Sequence, residues 1–144
     1  ITILRKQHTY RAAYNNFDPE KIVRYDQAKV EDLLSDPGII RNRLKVQSII
    51  KNARGYLDLR DKGIGFSDFL WSFVENQPIQ NRWQSFSEVP TATPESEAMS
   101  KALKRAGFTF VGPTIVYAFM QATGMVNDHL VACPQHRECY LLSQ

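Results

Sequence analysis

Cysteine is scarce in this chain, and the two that occur, Cys133 and Cys139, both lie in the last dozen residues beside histidines. A secreted disulfide framework would spread its cysteines, so that class is excluded and a reducing, cytoplasmic compartment is expected. Long apolar runs are missing as well. No stretch approaches the roughly 18 residues of a spanning helix, and the start has neither the charged region nor the apolar core of a signal peptide, so no membrane partner is expected. A dominant charge sign is also lacking. Lys and Arg exceed Asp and Glu by only 18 to 15, well short of a purely electrostatic nucleic-acid binder, so any positive surface must be local. Internal repeats, low-complexity segments and persuasive strand alternation are absent, and the chain reads as all-α. It opens without methionine at Ile1-Thr2-Ile3-Leu4, already in an apolar pattern, and reads as cut inside an element.

What is present suffices for one core. With 144 residues, 43% of them hydrophobic, the expectation is a single helical domain over 1–144, acting as a monomer. Asp18-Pro19-Glu20 supplies a cap, a proline at the first helical position and an acid, so a short helix should run toward Tyr25. A second covers about Ala28 to Leu34, and Ser35-Asp36-Pro37-Gly38 is a turn. Val46, Ile49, Ile50, Ala53 and Leu57 then recur at helical spacing in a segment reaching about Asp61. On its other face Arg41, Lys45, Ser48 and Asn52 fall within roughly a 60° arc at about 100° per residue, either a solvated face or a cationic one. Gly63-Ile64-Gly65 breaks this helix, and Ser67 can cap the next through Val74, whose Phe69, Trp71 and Phe73 are read as core rather than as a base-stacking surface. Residues 76–92 read as a surface connection. Thr93-Pro94-Glu95 restarts helix, Gly107 ends it, and another helix opens at Pro113 and reaches Gly124.

Two constellations carry chemistry. The first is Gly107-Phe108-Thr109-Phe110-Val111-Gly112-Pro113-Thr114, a glycine-bounded connection between two helices, a helix–hairpin–helix pattern over about 94–124. Consecutive backbone N–H groups there can face a phosphate. Glycine at 112 would keep side chains out of the way, and the turn is expected to need a positive φ. Gly107, Thr109, Val111, Gly112 and Thr114 are the candidate DNA contacts, joined by Arg41 and Lys45. An ordinary helical corner is the plain alternative. The second constellation is Asn127-Asp128-His129-Leu130-Val131-Ala132-Cys133, where imidazole and thiol stand four positions apart and can share one metal. His136 and Cys139 could complete a local four-ligand set. His8 has no partner at ligand spacing and should be an exposed helix residue.

Several strings resemble one family. Asp36-Pro37-Gly38-Ile39-Ile40-Arg41-Asn42-Arg43-Leu44-Lys45 resembles the helix entry of helix–hairpin–helix base-excision glycosylases. Asp68-Phe69-Leu70-Trp71-Ser72-Phe73-Val74, Ser100-Lys101-Ala102-Leu103-Lys104, Gly107-Phe108-Thr109-Phe110-Val111-Gly112 and Val126-Asn127-Asp128-His129 resemble the DNA-3-methyladenine glycosylase I family. The resemblance covers essentially the whole chain. It implies a monofunctional, zinc-containing N-glycosyl hydrolase of base-excision repair that releases 3-methyladenine from double-stranded alkylated DNA.

The resemblance also implies a further N-terminal segment holding the base-reading glutamate, pocket aromatics, a DNA-plugging residue and two of four zinc ligands. No catalytic residue is therefore assigned in this chain, and His129 and Cys133 are the metal ligands of a C-terminal tail over about 125–139. In that scheme His136 and Cys139 are surface residues. Asp128 lies near where the wider superfamily places a catalytic aspartate, yet the resembled family does without it, and Asp128 reads as an orienting neighbour of His129. A nucleophilic lysine is unsupported, because no pKa-lowering surroundings are legible around Lys101 or Lys104. The rival readings are a noncatalytic helix–hairpin–helix DNA-binding module and a zinc-stabilised interaction domain without a DNA role.

Overall fold

The computed structural model describes residues 1–143 and divides into two compact units. One comprises Ile1–Gly63 with Ala106–Phe110; the other comprises Ile64–Arg105 and the chain from Val111 onward.

Local signals set the helix starts of the first unit. The short helices α1 (Thr2–Arg5), α2 (Gln7–Ala13) and α3 (Pro19–Ile22) precede α4 (Gln27–Ser35) and the long α5 (Arg43–Asp61). Asp18, Asp26 and Asn42 each accept a hydrogen bond from a first-turn amide, at 3.0, 2.8 and 3.0 Å. Such caps satisfy donors that helix geometry leaves unpaired. The apolar faces meet in a core of Tyr14, Ile22, Val30, Leu33, Ile39, Val46 and Ala53. Burial, with Tyr10, Tyr25 and Asp36 nearby, pushes the Tyr14 phenol up to about 12. Asn15, Asn16 and Phe17 all adopt left-handed φ values, 51°, 55° and 59°, a corner that no glycine announces. His8 is exposed on α2, as expected.

The second unit holds α6 (Phe66–Trp71), α7 (Pro94–Arg105), α8 (Pro113–Ala122) and α9 (Pro134–Leu142). Its buried side chains include Met99, Leu103, Val116, Tyr117, Met120 and Met125. Two expectations need correction. Ser67 does not cap α6; it lies inside the helix, and Gly65 holds the cap position without a side-chain bond. Nor is the fold purely helical, because β1 (Ile79–Gln80) pairs in parallel with β2 (Val126–Asn127). Two residues per strand are too few for any alternation to show in the sequence. Phe69, Trp71 and Phe73 are half-buried, with Phe69 edge-on to Phe73 at 5.5 Å, around the buried Leu70 and Val74.

One close approach positions the segment that follows α7. A Cβ at Gly55 of α5 would lie 2.7 Å from the Ala106 carbonyl oxygen and 2.9 Å from the Phe108 ring. Gly55→Ala should therefore destabilise by about 1–3 kcal/mol through overpacking, outweighing the roughly 1 kcal/mol gained in helix propensity. Denaturant unfolding checks this. A more stable variant would mean that the loop moves off the helix freely.

Candidate functional site

The connection between α7 and α8 is held by side-chain hydrogen bonds at two of its residues. α7 and α8 pack against each other; α7 carries Glu95 and Glu97 in its first turn and Lys104 and Arg105 in its last, charges that complement the helix dipole. Gly107, at φ 88°, stops the helix. Phe108 is buried. Thr109 is then clamped by the Asn52 side chain, whose Oδ1 accepts the Thr109 amide at 2.8 Å and whose Nδ2 donates to the Thr109 carbonyl at 3.2 Å. Ser100 Oγ donates to the Val111 carbonyl at 2.6 Å.

Between and beyond these pins the backbone donors are open. The amides of Phe110, Val111 and Gly112, and of Thr114 and Ile115 in the first turn of α8, have no acceptor among the described residues. Gly112 is the N-cap of α8 and supplies no capping side chain. A Cβ built on Gly112 meets nothing within 4 Å, so the space beside this residue is open. Unpaired N–H groups at the positive end of a helix can bind an anion.

This corrects two expectations. Gly112 has φ −63°, so no left-handed turn demands glycine there. The left-handed positions are Gly107 and Phe110. Thr109 is not a free donor, since Asn52 takes its amide; Val111, Gly112 and Thr114 keep theirs.

Arg41 and Lys45 are both exposed, and neither side chain has a hydrogen bond or ion pair among the described residues. Lys45 shares a helical stripe with Ser48 and Asn52 in α5, but Arg41 does not. Arg41 precedes the Asn42 cap, outside α5. Ser48 is buried and donates to the Lys45 carbonyl at 2.7 Å, while Asn52 turns to Thr109. The neighbouring Arg43 is engaged with both oxygens of Glu31, at 2.7 and 2.9 Å.

The tail is organised by Asp128. Its Oδ1 accepts from Asn81 Nδ2 at 2.7 Å and Trp83 Nε1 at 2.8 Å; its Oδ2 accepts from Tyr117 at 2.5 Å and Gln121 Nε2 at 2.8 Å. Burial raises the Asp128 pKa, but the bonds from Tyr117, Trp83, Asn81 and Gln121 together outweigh it and hold the carboxyl below the usual range. Burial and the bond to Asp128 push the Tyr117 phenol well above its ordinary value. With four donors on four lone-pair sites, Asp128 has none left to accept a proton from water.

His129 Nδ1 and Cys133 Sγ stand 3.9 Å apart. Two ligands on one tetrahedral zinc, with Zn–S about 2.3 Å and Zn–N about 2.0 Å, sit about 3.5 Å apart, so the pair fits one metal with a small adjustment. The local four-ligand alternative fits poorly. His136 Nε2 lies 2.7 Å from the Asn81 carbonyl, and among the described residues no three His, Cys, Asp or Glu side chains converge as a metal group. Cys139 instead lines a cavity of about 410 Å³ with Gln80, Gln121, Asn127, Asp128 and His129.

Sequence reasoning placed the open amides and the His–Cys pair but missed the parts that fix them. Asn52 was read as part of a polar face, and Ser100 only as part of a resembling string. Asn81, Trp83 and Gln121 gave no signal, because their common partner lies 7 to 47 residues away.

The model of the methyladenine glycosylase family matches residues 1–136. DNA-3-methyladenine glycosylase 1 of Escherichia coli (strain K12) is 53% identical over 133 residues, which cover 92% of this chain and 71% of that protein. A crystal structure of 3-methyladenine DNA glycosylase I superposes with TM-score 0.91 at 50% identity, covering 93% of this chain and 74% of that one. A variant of 3-methyladenine DNA glycosylase I crystallised with 3-methyladenine superposes with TM-score 0.89 at 35% identity, covering 94% and 73%.

Removing the Asp128 charge tests the hub. In Asp128→Asn one acceptor becomes an NH2 group facing existing donors, which should cost on the order of 1–3 kcal/mol at neutral pH. Unfolding in urea measures it. Parental stability would show that the four hydrogen bonds are dispensable.

Proposed function

The chain belongs to the methyladenine glycosylase family, and from that premise we propose that it works in base-excision repair, hydrolysing the N-glycosidic bond of 3-methyladenine in alkylated double-stranded DNA. The observation that carries the reading in this chain's own geometry is the row of unpartnered amides at 110–112 and at the start of α8, beside an open Gly112. A phosphate oxygen can enter there without displacing any internal bond. Together with α7 and α8, this segment acts as a helix–hairpin–helix element that docks the duplex without reading its bases. Arg41 and Lys45 supply cations free to meet further phosphates.

The reaction suits such a division of labour. The damaged nucleotide is extruded from the stack, and water attacks the deoxyribose carbon as the glycosidic bond breaks. The lesion is cationic before cleavage, so the base departs neutral with the bond's electron pair and needs no proton. The attacking water loses one, which is released to solvent as the new C–O bond forms. No described side chain is assigned to that step; Asp128 in particular is saturated by its four donors. The reading extends to a cytoplasmic monomer, and neither Cys133 nor Cys139 is in a disulfide.

His129 and Cys133 would hold a zinc ion through one imidazole nitrogen and one thiolate. The metal would act as a structural cross-link, completed by two further ligands that are not His136 and Cys139. Asp128, fixed on both oxygens, would then set the backbone from which His129 projects.

Three outcomes test this reading. The full-length protein incubated with methylated duplex DNA should release free 3-methyladenine and leave abasic sites, detectable by chromatography; DNA binding with no base released would leave only a noncatalytic module. Elemental analysis of the full-length protein should find about one zinc per chain, lost together with thermal stability in Cys133→Ser and retained in Cys139→Ser. Equal loss in Cys139→Ser would restore the local four-ligand site. Replacing Arg41 and Lys45 together by Ala should flatten the log–log salt dependence of duplex binding by up to about 1.8, at roughly 0.9 per phosphate. The single-turnover rate at saturating DNA should change far less. An unaltered slope in the folded double variant would remove both cations from the interface.

A further inference from the structure

We propose that Lys6, Thr9 and Tyr10 are positioning residues for DNA binding, fastening the turn before α5 so that Arg41 meets a phosphate from a backbone already in place. The inference rests on the reading of Arg41 as a phosphate contact, and all its residues lie within the first compact unit.

The turn over 37–40 leaves few of its backbone polar groups to water. Lys6 Nζ donates to the Pro37 carbonyl at 2.6 Å, and the Tyr10 hydroxyl accepts from the Ile40 amide at 3.0 Å. Thr9 Oγ1 shares its proton between the Gly38 carbonyl at 2.6 Å and the Lys6 carbonyl at 2.8 Å. Within the turn, Asp36 Oδ1 accepts from the Gly38 amide at 2.6 Å and the Asp36 carbonyl from the Ile39 amide at 3.4 Å, while the Ile40 carbonyl accepts from the Asn42 amide at 2.9 Å. Every amide of the turn is thereby bonded. Thr9 comes so near that a Cβ at Gly38 would lie 3.1 Å from its own Cβ, and Ile39 is buried in the core.

Stability alone is a weak reason for this arrangement. The Lys6 and Tyr10 bonds are exposed, and such bonds add little net stability because water competes for both partners. Holding a lysine in one rotamer also costs side-chain entropy. What three side chains converging on one four-residue turn supply is a fixed path for the chain.

That path leads to Arg41. Three cations stand at this corner, and their surroundings differ. Lys45 is carried by α5, whose helical geometry places it. Arg43 is held by both oxygens of Glu31. Arg41 precedes the Asn42 cap, outside the helix, and is exposed without a hydrogen bond or ion pair among the described residues. Its backbone is placed by its neighbours, between the Ile40 amide on Tyr10 and the Asn42 side chain on the Lys45 amide. A cation on a loose turn would have to be ordered as it met its phosphate; on a fastened turn that ordering is complete before association.

The test measures duplex binding by the full-length protein in two backgrounds, with Arg41 present and with Arg41→Ala. Thr9→Val combined with Tyr10→Phe removes two of the bonds to the turn without changing charge; Lys6 is kept, since its own cation would alter affinity for DNA. The combined change should weaken binding roughly three- to tenfold when Arg41 is present and leave it unaltered in Arg41→Ala. Tyr10→Phe alone, which frees a single exposed bond, should show a smaller loss with the same dependence on Arg41, and it decides the question if the combined variant does not fold. Thr9→Ser, which keeps the donor, should bind as the parent does. Equal weakening in both backgrounds overturns the proposal, because it would make α2 a support of the fold alone. Parental affinity of the α2 variants with Arg41 present overturns it too. Arg41→Ala separates the two levels of the argument. If it binds as the parent does, the reading of Arg41 as a phosphate contact fails; if it binds more weakly while the α2 variants do not, only the positioning role is lost.

Discussion

The segment joining α7 and α8 belongs to no helix or sheet, so its shape depends on side chains, and first of all on the carboxamide of Asn52. One amide group both accepts from and donates to Thr109, as a neighbouring strand would. Each such bond contributes only about 1 kcal/mol net; its larger effect is to fix where the next amides point. A mobile loop would have to be ordered at the moment of binding, at about 1–2 kcal/mol per residue. In the proposed docking role, pinning Thr109 and Val111 beforehand would remove much of that cost from association. The absent side chain of Gly55 is part of the same device, since it lets the Ala106 carbonyl and the Phe108 ring lie against α5.

Asp128 solves a different problem. β1 and β2 share only two residue pairs, far too little to hold the tail, and a half-buried charge would normally be a liability. Four donors from the loop after β1 and from α8 turn that charge into the strongest local constraint, because hydrogen bonds to a carboxylate exceed neutral ones. The same saturation withdraws the residue from catalysis. An aspartate beside a suspected active element invites a mechanistic role on position alone, and the geometry assigns it to architecture instead.

The features legible in the sequence are those whose cause is local. Asp18 caps its helix through its own neighbours, Gly107 follows the end of α7, and the four-residue spacing of His129 and Cys133 brings them to 3.9 Å. What stayed hidden depends on distant partners or on backbone that local propensity would not choose. Asn52 meets Thr109 across 57 positions, so its pattern alone could only suggest a polar face. Phe110 and the run from Asn15 to Phe17 take left-handed φ values where Gly107 and Gly112 drew attention instead. Tertiary contacts override propensity at these points, which is where strained or functional backbone concentrates.

Such contacts constrain how this part of the chain can influence the rate. A phosphate held equally well before and during bond cleavage lowers the energy of the complex and of the transition state together, which by itself leaves the chemical step unchanged. The exception is extrusion. Turning a nucleotide out of the stack costs a few kcal/mol, and docking contacts that are made more fully once the strand is distorted can offset that cost. A preorganised hairpin is suited to this, because energy not consumed in ordering the loop is available to bend and open the duplex. With a cationic lesion already prepared to leave, the docking role proposed for residues 107–112 would act at the opening of the helix rather than at protonation of the base.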